Sequence, residues 1–295
     1  MMFKSISKVV QSEITKVRGI SHNKSAIRLF SRTMSPATSS FDTVGIVGLG
    51  LMGHGICQTA ATAAASSPST NIIAYEPKEE FLQKGQERIT KSLSQLVSKE
   101  RLTQKDSEKI LDKITFTTDI NTLGDSDFII EAVIENMDLK NELYTSLDGI
   151  CKENTIFASN TSSLSITDMA EIMPNRKSNF LGVHFFNPVQ IMKLVEVIHT
   201  KYTDPGVFDK VYNWVENDIR KVPVKCGDTP GFIVNRLLVP SLMQAMLMVD
   251  RNDATVKDID LSMKLGAGHP MGPLHLSDYI GLDTCLFIVE GWVEK

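Results

Sequence analysis

Among the side chains able to do chemistry, the most informative lie in GVHFFNPVQIMKLVEVI, residues 182–198, where His184 and Glu196 flank an Asn-Pro turn. Period-two alternation along a strand sets Leu194, Glu196 and Ile198 on one face. A carboxylate between two large apolar side chains on a buried face is costly unless a partner compensates it. A return centred on Gln190 makes positions summing to 380 face one another across an antiparallel pair, and His184 and Glu196 are such a pair. Cross-strand neighbours approach closely enough for a carboxylate to bond an imidazole. The chemistry open to them is proton abstraction by an imidazole whose charged form the carboxylate compensates. Spacing alone leaves a structural His–Glu pair equally open.

A second constellation is GLGLMG, in which Gly48, Gly50 and Gly53 directly follow an apolar run and open a helix-like segment. In that context the glycines allow a tight turn and close approach of the backbone to a pyrophosphate, which a helix N-terminus favours. Glu76 ends the next apolar run, where an acid hydrogen-bonds a ribose 2′-hydroxyl and repels a 2′-phosphate. NAD is therefore the expected cofactor, in preference to NADP. His54, just inside the helix, reads as incidental.

The elements that must carry these residues alternate in type. TVGIVG, NIIAYE, ITFTTD, DFIIEAV, TIFASN and NFLGVHFF read as short buried strands, with amphipathic stretches between several of them. The expected fold is α/β: a Rossmann-type, doubly wound, mostly parallel sheet over residues 41–228. One connection, about 78–113, exceeds what a crossover needs and reads as an inserted helical hairpin. Phe81, Ile89, Leu93, Leu96 and Val97 mark its first apolar stripe, and Thr103 with Asp106 resembles a capping box that starts its second helix. From Thr229 the character shifts to a long, nearly all-apolar helix over 232–249 and further helices, a smaller all-α domain spanning 229–295.

Residues 1–40 differ from the rest. They carry seven Lys or Arg against the single acid Glu13, are rich in serine, and set Phe3, Ile6, Val9 and Val10 at roughly helical spacing, the composition of a mitochondrial transit peptide. The expected location is the mitochondrial matrix. A formal net charge of −4 over 295 residues gives no reason to expect nucleic acid as a partner, and no apolar run approaches the ~20 residues of a membrane span. Cys57, Cys151, Cys226 and Cys285 show no metal-like spacing and read as reduced thiols, so no metal is expected.

In order along the chain, GIVGLGLMGHGICQ, EAVIENMDLKNELY, IFASNTSSLSI, GVHFFNPVQIMKLVEVI, KCGDTPGFIVNRLL and MKLGAGHPMGPLHLSDYIGLD resemble the L-3-hydroxyacyl-CoA dehydrogenases, above all the short-chain mitochondrial type of fatty-acid β-oxidation. The resemblance covers about Thr43 to Lys295, and HFFNP followed by a glutamate, with DTPGFIVNR, is its most specific part. It implies oxidation of an L-3-hydroxyacyl-CoA to the 3-oxoacyl-CoA with NAD. His184 would be the catalytic base, Glu196 the glutamate that polarises it, Ser162 the active-site serine (with Ser163 one residue away), and Asn235 the asparagine near the substrate carbonyl. The same likeness puts Glu135 and Lys140 beside the cofactor, Ser92 and Lys99 of the hairpin against coenzyme A, and Asn187 at the substrate.

Each residue has a plainer alternative. Thr161 and Ser162 could cap a helix beginning near Leu164, Asn235 could bond backbone, and Lys99 could be solvated. Relatives of this type also continue past the GLD…GW element with a segment that completes the helical domain and packs a homodimer, whereas this sequence stops at Lys295; a truncated form of impaired activity is one rival reading. The loop AAASSPSTN is longer than usual, and His269 and His275 replace an aromatic and an acid. A non-catalytic relative and another β-hydroxyacid dehydrogenase, which would use a lysine base and lack HFFNP, are the other rivals.

Overall fold

The computed structural model describes residues 40–67 and 69–293; the expected transit peptide, bar Ser40, lies outside them. Eight strands form one sheet: β1 (Thr43–Val47), β2 (Asn71–Tyr75), β3 (Ile114–Thr117), β4 (Phe128–Glu131), β5 (Ile156–Ser159), β6 (Phe180–Phe185), β7 (Leu194–His199) and β8 (Val222–Gly227). Their order is β3-β2-β1-β4-β5-β6-β7-β8, with β3 to β6 successively parallel, β7 antiparallel to β6, and β8 parallel to β7. Chain order reverses between β1 and β4, and in an open parallel sheet a dinucleotide binds in the crevice at such a reversal.

The strands read as continuous apolar runs because both faces are covered. Val44, Ile46, Phe128, Ile130, Ile156 and Ala158 enter one core, whereas the intervening Val47, Ile129 and Phe157 enter a second. Helix α1 (Gly53–Ala64), rich in small residues, and the pair α2 (Glu79–Ser98) and α3 (Gln104–Asp112) serve the first core. Helices α4 (Met137–Ile150) and α5 (Ile166–Glu171) serve the second, and α6 (Pro205–Asn213) returns to the first. Beyond β8 come four helices, α7 (Val234–Asp250), α8 (Val256–Gly266), α9 (Pro273–Ile280) and α10 (Leu282–Val293).

Three local readings are sharpened or corrected. Thr103 does cap α3, its hydroxyl accepting from the Asp106 amide at 3.1 Å. The buried stripe of α2 is Leu82, Gly85, Ile89 and Leu93. Phe81 is exposed instead, with the ammonium groups of Lys78 and Lys84 lying 5.7 and 5.4 Å from its ring centroid. The helix expected near Leu164 starts at Ile166, and its N-cap is Ser165, not Thr161 or Ser162.

Candidate active site

Strands β6 and β7 pair in the register that sets His184 opposite Glu196. The return between them starts at Asn187-Pro188, and the Pro188 carbonyl accepts from the Ile191 and Met192 amides. Lys221 closes it, its Nζ donating to the Val189 and Met192 carbonyls at 2.6 and 2.7 Å. Gln190 donates to Gln58 on α1 at 3.0 Å, so the turn is tied to the helix that follows the glycine loop.

His184 Nδ1 lies 2.7 Å from Glu196 Oε2, and both side chains are buried. The other oxygen, Oε1, accepts from the backbone amides of Ile233 and Val234 at 3.1 and 2.9 Å, the entry to α7. Burial pushes the Glu196 carboxyl up, but the His184 hydrogen bond and the two amides outweigh it and hold the group below its ordinary value. With Glu196 ionised, Nδ1 carries the proton and Nε2 is left as the basic nitrogen. Nε2 has no hydrogen-bond partner among the described residues. Phe186 and Phe232 flank the ring, with centroids at 4.6 and 5.6 Å.

Ser162 lies just past β5. Asn160 at the strand's exit accepts from the Phe185 amide at 2.8 Å, which ties this loop to the residue after His184. Glu135 Oε1 gathers the loop, accepting from the Thr161 hydroxyl (2.5 Å), the Ser162 and Ser163 amides (2.9 and 3.2 Å) and the Ser163 hydroxyl (3.2 Å). Burial raises the Glu135 carboxyl, but Lys140 and these donors bring it below its ordinary value. The Ser163 hydroxyl is thus engaged, whereas that of Ser162 has no partner among the described residues. Asn235 follows Val234 in the first turn of α7, half-buried, its amide likewise without a hydrogen bond among the described residues.

At the reversal of strand order, Gly48 has φ +86°, and a Cβ there would lie 2.9 Å from the Ala132 carbonyl oxygen. A Cβ on Gly53 would lie 1.7 Å from the Gly48 oxygen, so these two glycines fix the turn. Gly50 is different: it is exposed, and a Cβ there would meet nothing within 4 Å. The open space beside Gly50, with the N-terminus of α1 behind it, fits a pyrophosphate. Glu76 at the end of β2 accepts from the Leu49 amide at 3.1 Å, so the acid that would read the ribose is seated against the glycine loop.

Of the remaining expected residues, Ser92, Lys99 and Asn187 lie apart from this cluster in bonding terms, whereas Lys140 joins it through Glu135. Ser92 is half-buried on α2, Lys99 is exposed as its C-cap, and Asn187 is exposed in the return; no hydrogen bond or ion pair joins any of them to His184 or Ser162 among the described residues. Lys140 is 1 % exposed and pairs with Glu131 at 2.5 Å and with Glu135 at 3.4 Å. Glu131 and Asn160 escaped sequence reasoning. Glu131 had a signal, an acid closing the apolar FIIE run nine residues before Lys140. Among the described residues no group of three or more His, Cys, Asp or Glu is placed to hold a metal ion, and no helix is long and apolar enough to cross a membrane.

A dinucleotide crevice at the strand reversal, with a carboxylate-paired histidine three strands away, describes the class of nicotinamide-dependent dehydrogenases. Residues 43–229 match the family described as 3-hydroxyacyl-CoA dehydrogenase, NAD binding domain, and residues 231–295 the 3-hydroxyacyl-CoA dehydrogenase, C-terminal domain. The chain belongs to the 3-hydroxyacyl-CoA dehydrogenase family, and NAD is its cofactor. It is 47% identical over 257 residues to human mitochondrial hydroxyacyl-coenzyme A dehydrogenase, covering 85% of this chain and 80% of that protein. It is 39% identical to a 3-hydroxybutyryl-CoA dehydrogenase of Mycobacterium tuberculosis over 88% of each chain. The crystal structure of (S)-3-hydroxybutyryl-CoA dehydrogenase from Ralstonia eutropha superposes with a TM-score of 0.81 at 41% identity, covering 85% of this chain and 86% of that one.

Proposed function

We propose that this chain oxidises the 3-hydroxyl of an L-3-hydroxyacyl-CoA to a ketone with NAD, with His184 as the general base. The observation that carries the reading is the His184–Glu196 contact at 2.7 Å, which puts the proton on Nδ1 and leaves Nε2 able to accept one. When bound, NAD supplies the acceptor for the hydride that leaves C3. His184 Nε2 takes the proton from O3 as that hydride departs. Glu196 stays a carboxylate and compensates the imidazolium, its second oxygen already saturated by the Ile233 and Val234 amides. The Ser162 hydroxyl, free of partners among the described residues, donates to O3, and the Asn235 amide faces the thioester carbonyl. Gly48, Gly50 and Gly53 admit the pyrophosphate, Glu76 binds the adenosine ribose, and Glu135 with Lys140 supports the nicotinamide side. Ser92 and Lys99 on the helical hairpin, with Asn187 in the return, serve the coenzyme A portion.

Place and assembly follow from separate observations. The basic, acid-poor leader and the name of the human relative support import into the mitochondrial matrix. Leu237, Leu265 and Tyr279 on the C-terminal helices are each more than 70% exposed, which supports burial of apolar surface on these helices against a second copy. Light scattering after gel filtration reads the assembly, a single-chain mass being the adverse result. The central experiment follows NADH oxidation by acetoacetyl-CoA with the wild-type chain and His184→Ala. Wild-type turnover that His184→Ala abolishes, with NADH affinity retained, supports the mechanism; turnover unchanged by the substitution defeats it.

A further inference from the structure

Beneath the Thr161–Ser163 loop, Lys140 and Glu135 are joined to a third charge, the buried Glu131, to which no step above gives a role. Glu131, fully buried at the end of β4, saturates both its oxygens. Oε1 accepts from Lys140 Nζ at 2.5 Å and from the Val133 amide at 2.8 Å; Oε2 accepts from the Ser159 hydroxyl at 2.6 Å and the Tyr144 hydroxyl at 3.3 Å. Lys140 also reaches Glu135 Oε2, more loosely, at 3.4 Å. Glu135 in turn spends Oε1 on the Ser162 loop. Two carboxylates therefore share one ammonium inside the protein.

The Val133, Ser159 and Tyr144 donors account for an acceptor at Glu131, but a neutral acceptor would serve them as well, so they give no reason for the charges. Their arrangement offers one. Glu131 draws Lys140 to the short contact and keeps it from settling on Glu135. Were Glu131 neutral, Lys140 would close on Glu135 Oε2, rotate that carboxylate, and weaken the contacts of Oε1 with the Ser162 and Ser163 amides. The backbone that aims the free Ser162 hydroxyl would then lose its anchor.

We infer that Glu131 is a positioning residue: through Lys140 and Glu135 it fixes the backbone of Ser162, whose hydroxyl remains free for the substrate oxygen. The inference rests on the reading of Ser162 as the active-site serine. Its signature is coupling to that hydroxyl, which a general contribution to folding would not show.

The test is a double-mutant cycle on the full chain, Glu131→Gln with and without Ser162→Ala. It reads kcat and KM with acetoacetyl-CoA, the Kd for NADH by fluorescence, and thermal unfolding. Glu131→Gln alone should lower kcat about tenfold or more, with KM for acetoacetyl-CoA held within about threefold at saturating NADH. In the Ser162→Ala background the same substitution should cost less than about threefold. A full loss in both backgrounds, or unchanged kcat in Glu131→Gln, overturns the inference while leaving the serine's role intact. Ser162→Ala turning over at the wild-type rate overturns the serine's role and the inference together. If Glu131→Gln does not fold, Tyr144→Phe, which removes the 3.3 Å donor to Glu131 and keeps every charge, carries the same cycle: a loss of about threefold that disappears with Ser162→Ala supports the inference, and an additive or absent loss overturns it.

Discussion

Replacing Glu196 by glutamine isolates the charge and the tautomer of the pair without changing its volume. The two amides of Ile233 and Val234 demand an acceptor, so the glutamine oxygen takes the Oε1 place. The glutamine NH2 then faces His184 Nδ1, where only an acceptor can satisfy it. The imidazole proton is driven to Nε2, the nitrogen that should receive the substrate proton. The pair stays hydrogen-bonded and becomes the wrong tautomer. General-base catalysis is worth about 10²–10⁴ in rate, or about 2.7–5.4 kcal/mol at 1.36 kcal/mol per tenfold. The variant also lacks the charge that compensates the imidazolium, so the upper half of that range is expected in kcat. KM for acetoacetyl-CoA and the Kd for NADH should move less than about threefold, since neither ligand bonds Glu196 directly. The assay is the loss of NADH absorbance, with thermal unfolding run in parallel. Glu196→Gln retaining kcat within about threefold of wild type would refute the base assignment. A matched loss of NADH affinity would refute it differently, by making the pair a structural one.

The same carboxylate sets an acid limit on stability. The Glu196 pKa is lower in the folded chain than its ordinary 4.5, so the contribution is complete above that value and is lost as pH falls through the folded value; the stability difference between wild type and Glu196→Gln should shrink steadily below pH 4.5 in chemical denaturation. Two glycine substitutions should part company: Gly48→Ala, with φ +86° and a carbonyl 2.9 Å away, should lose about 1–2 kcal/mol or more of folding stability, whereas Gly50→Ala should melt like wild type yet raise KM for NADH about tenfold by filling the open approach. Glu76→Ala should narrow the preference for NADH over NADPH, read as the ratio of kcat/KM values. Burial lifts the Cys151 and Cys226 thiols to about 11 and about 12, so at pH 8 about a thousandth or less of each is thiolate, and iodoacetamide should label the native chain slowly without loss of turnover.

Where the sequence was legible, one residue type answered one local demand. Antiparallel arithmetic was enough to set His184 against Glu196, because side-chain facing in a strand pair depends only on register and the turn signal at Asn187-Pro188 marked where the return begins. The glycine loop was legible for the same reason, since Gly48 and Gly53 meet steric limits that only glycine satisfies. Phe81 was misplaced because period alone cannot tell a core residue from an exposed aromatic ring with lysine ammonium groups beside it. Ser165 was missed as a cap because SNTSSLS offers several hydroxyls in a row, and spacing does not choose among them.

What spacing could not reach is contact between distant segments. Glu196 is bonded from both sides, by His184 twelve residues earlier and by the start of α7 thirty-seven residues later. A strand glutamate with a histidine partner explains half of that geometry. The other half makes the carboxylate a joint between the sheet and the C-terminal helices, since its Oε1 is the acceptor for the amides that open α7. Phe232, at φ +51°, turns the chain there and lays its ring on His184, with Asn235 three residues on. A displacement of α7 would therefore disturb the basicity of His184 and the position of Asn235 together. The costly burial of Glu196 is accounted for by this double duty: one oxygen sets the tautomer of His184, and the other fixes the helix whose first turn carries Asn235.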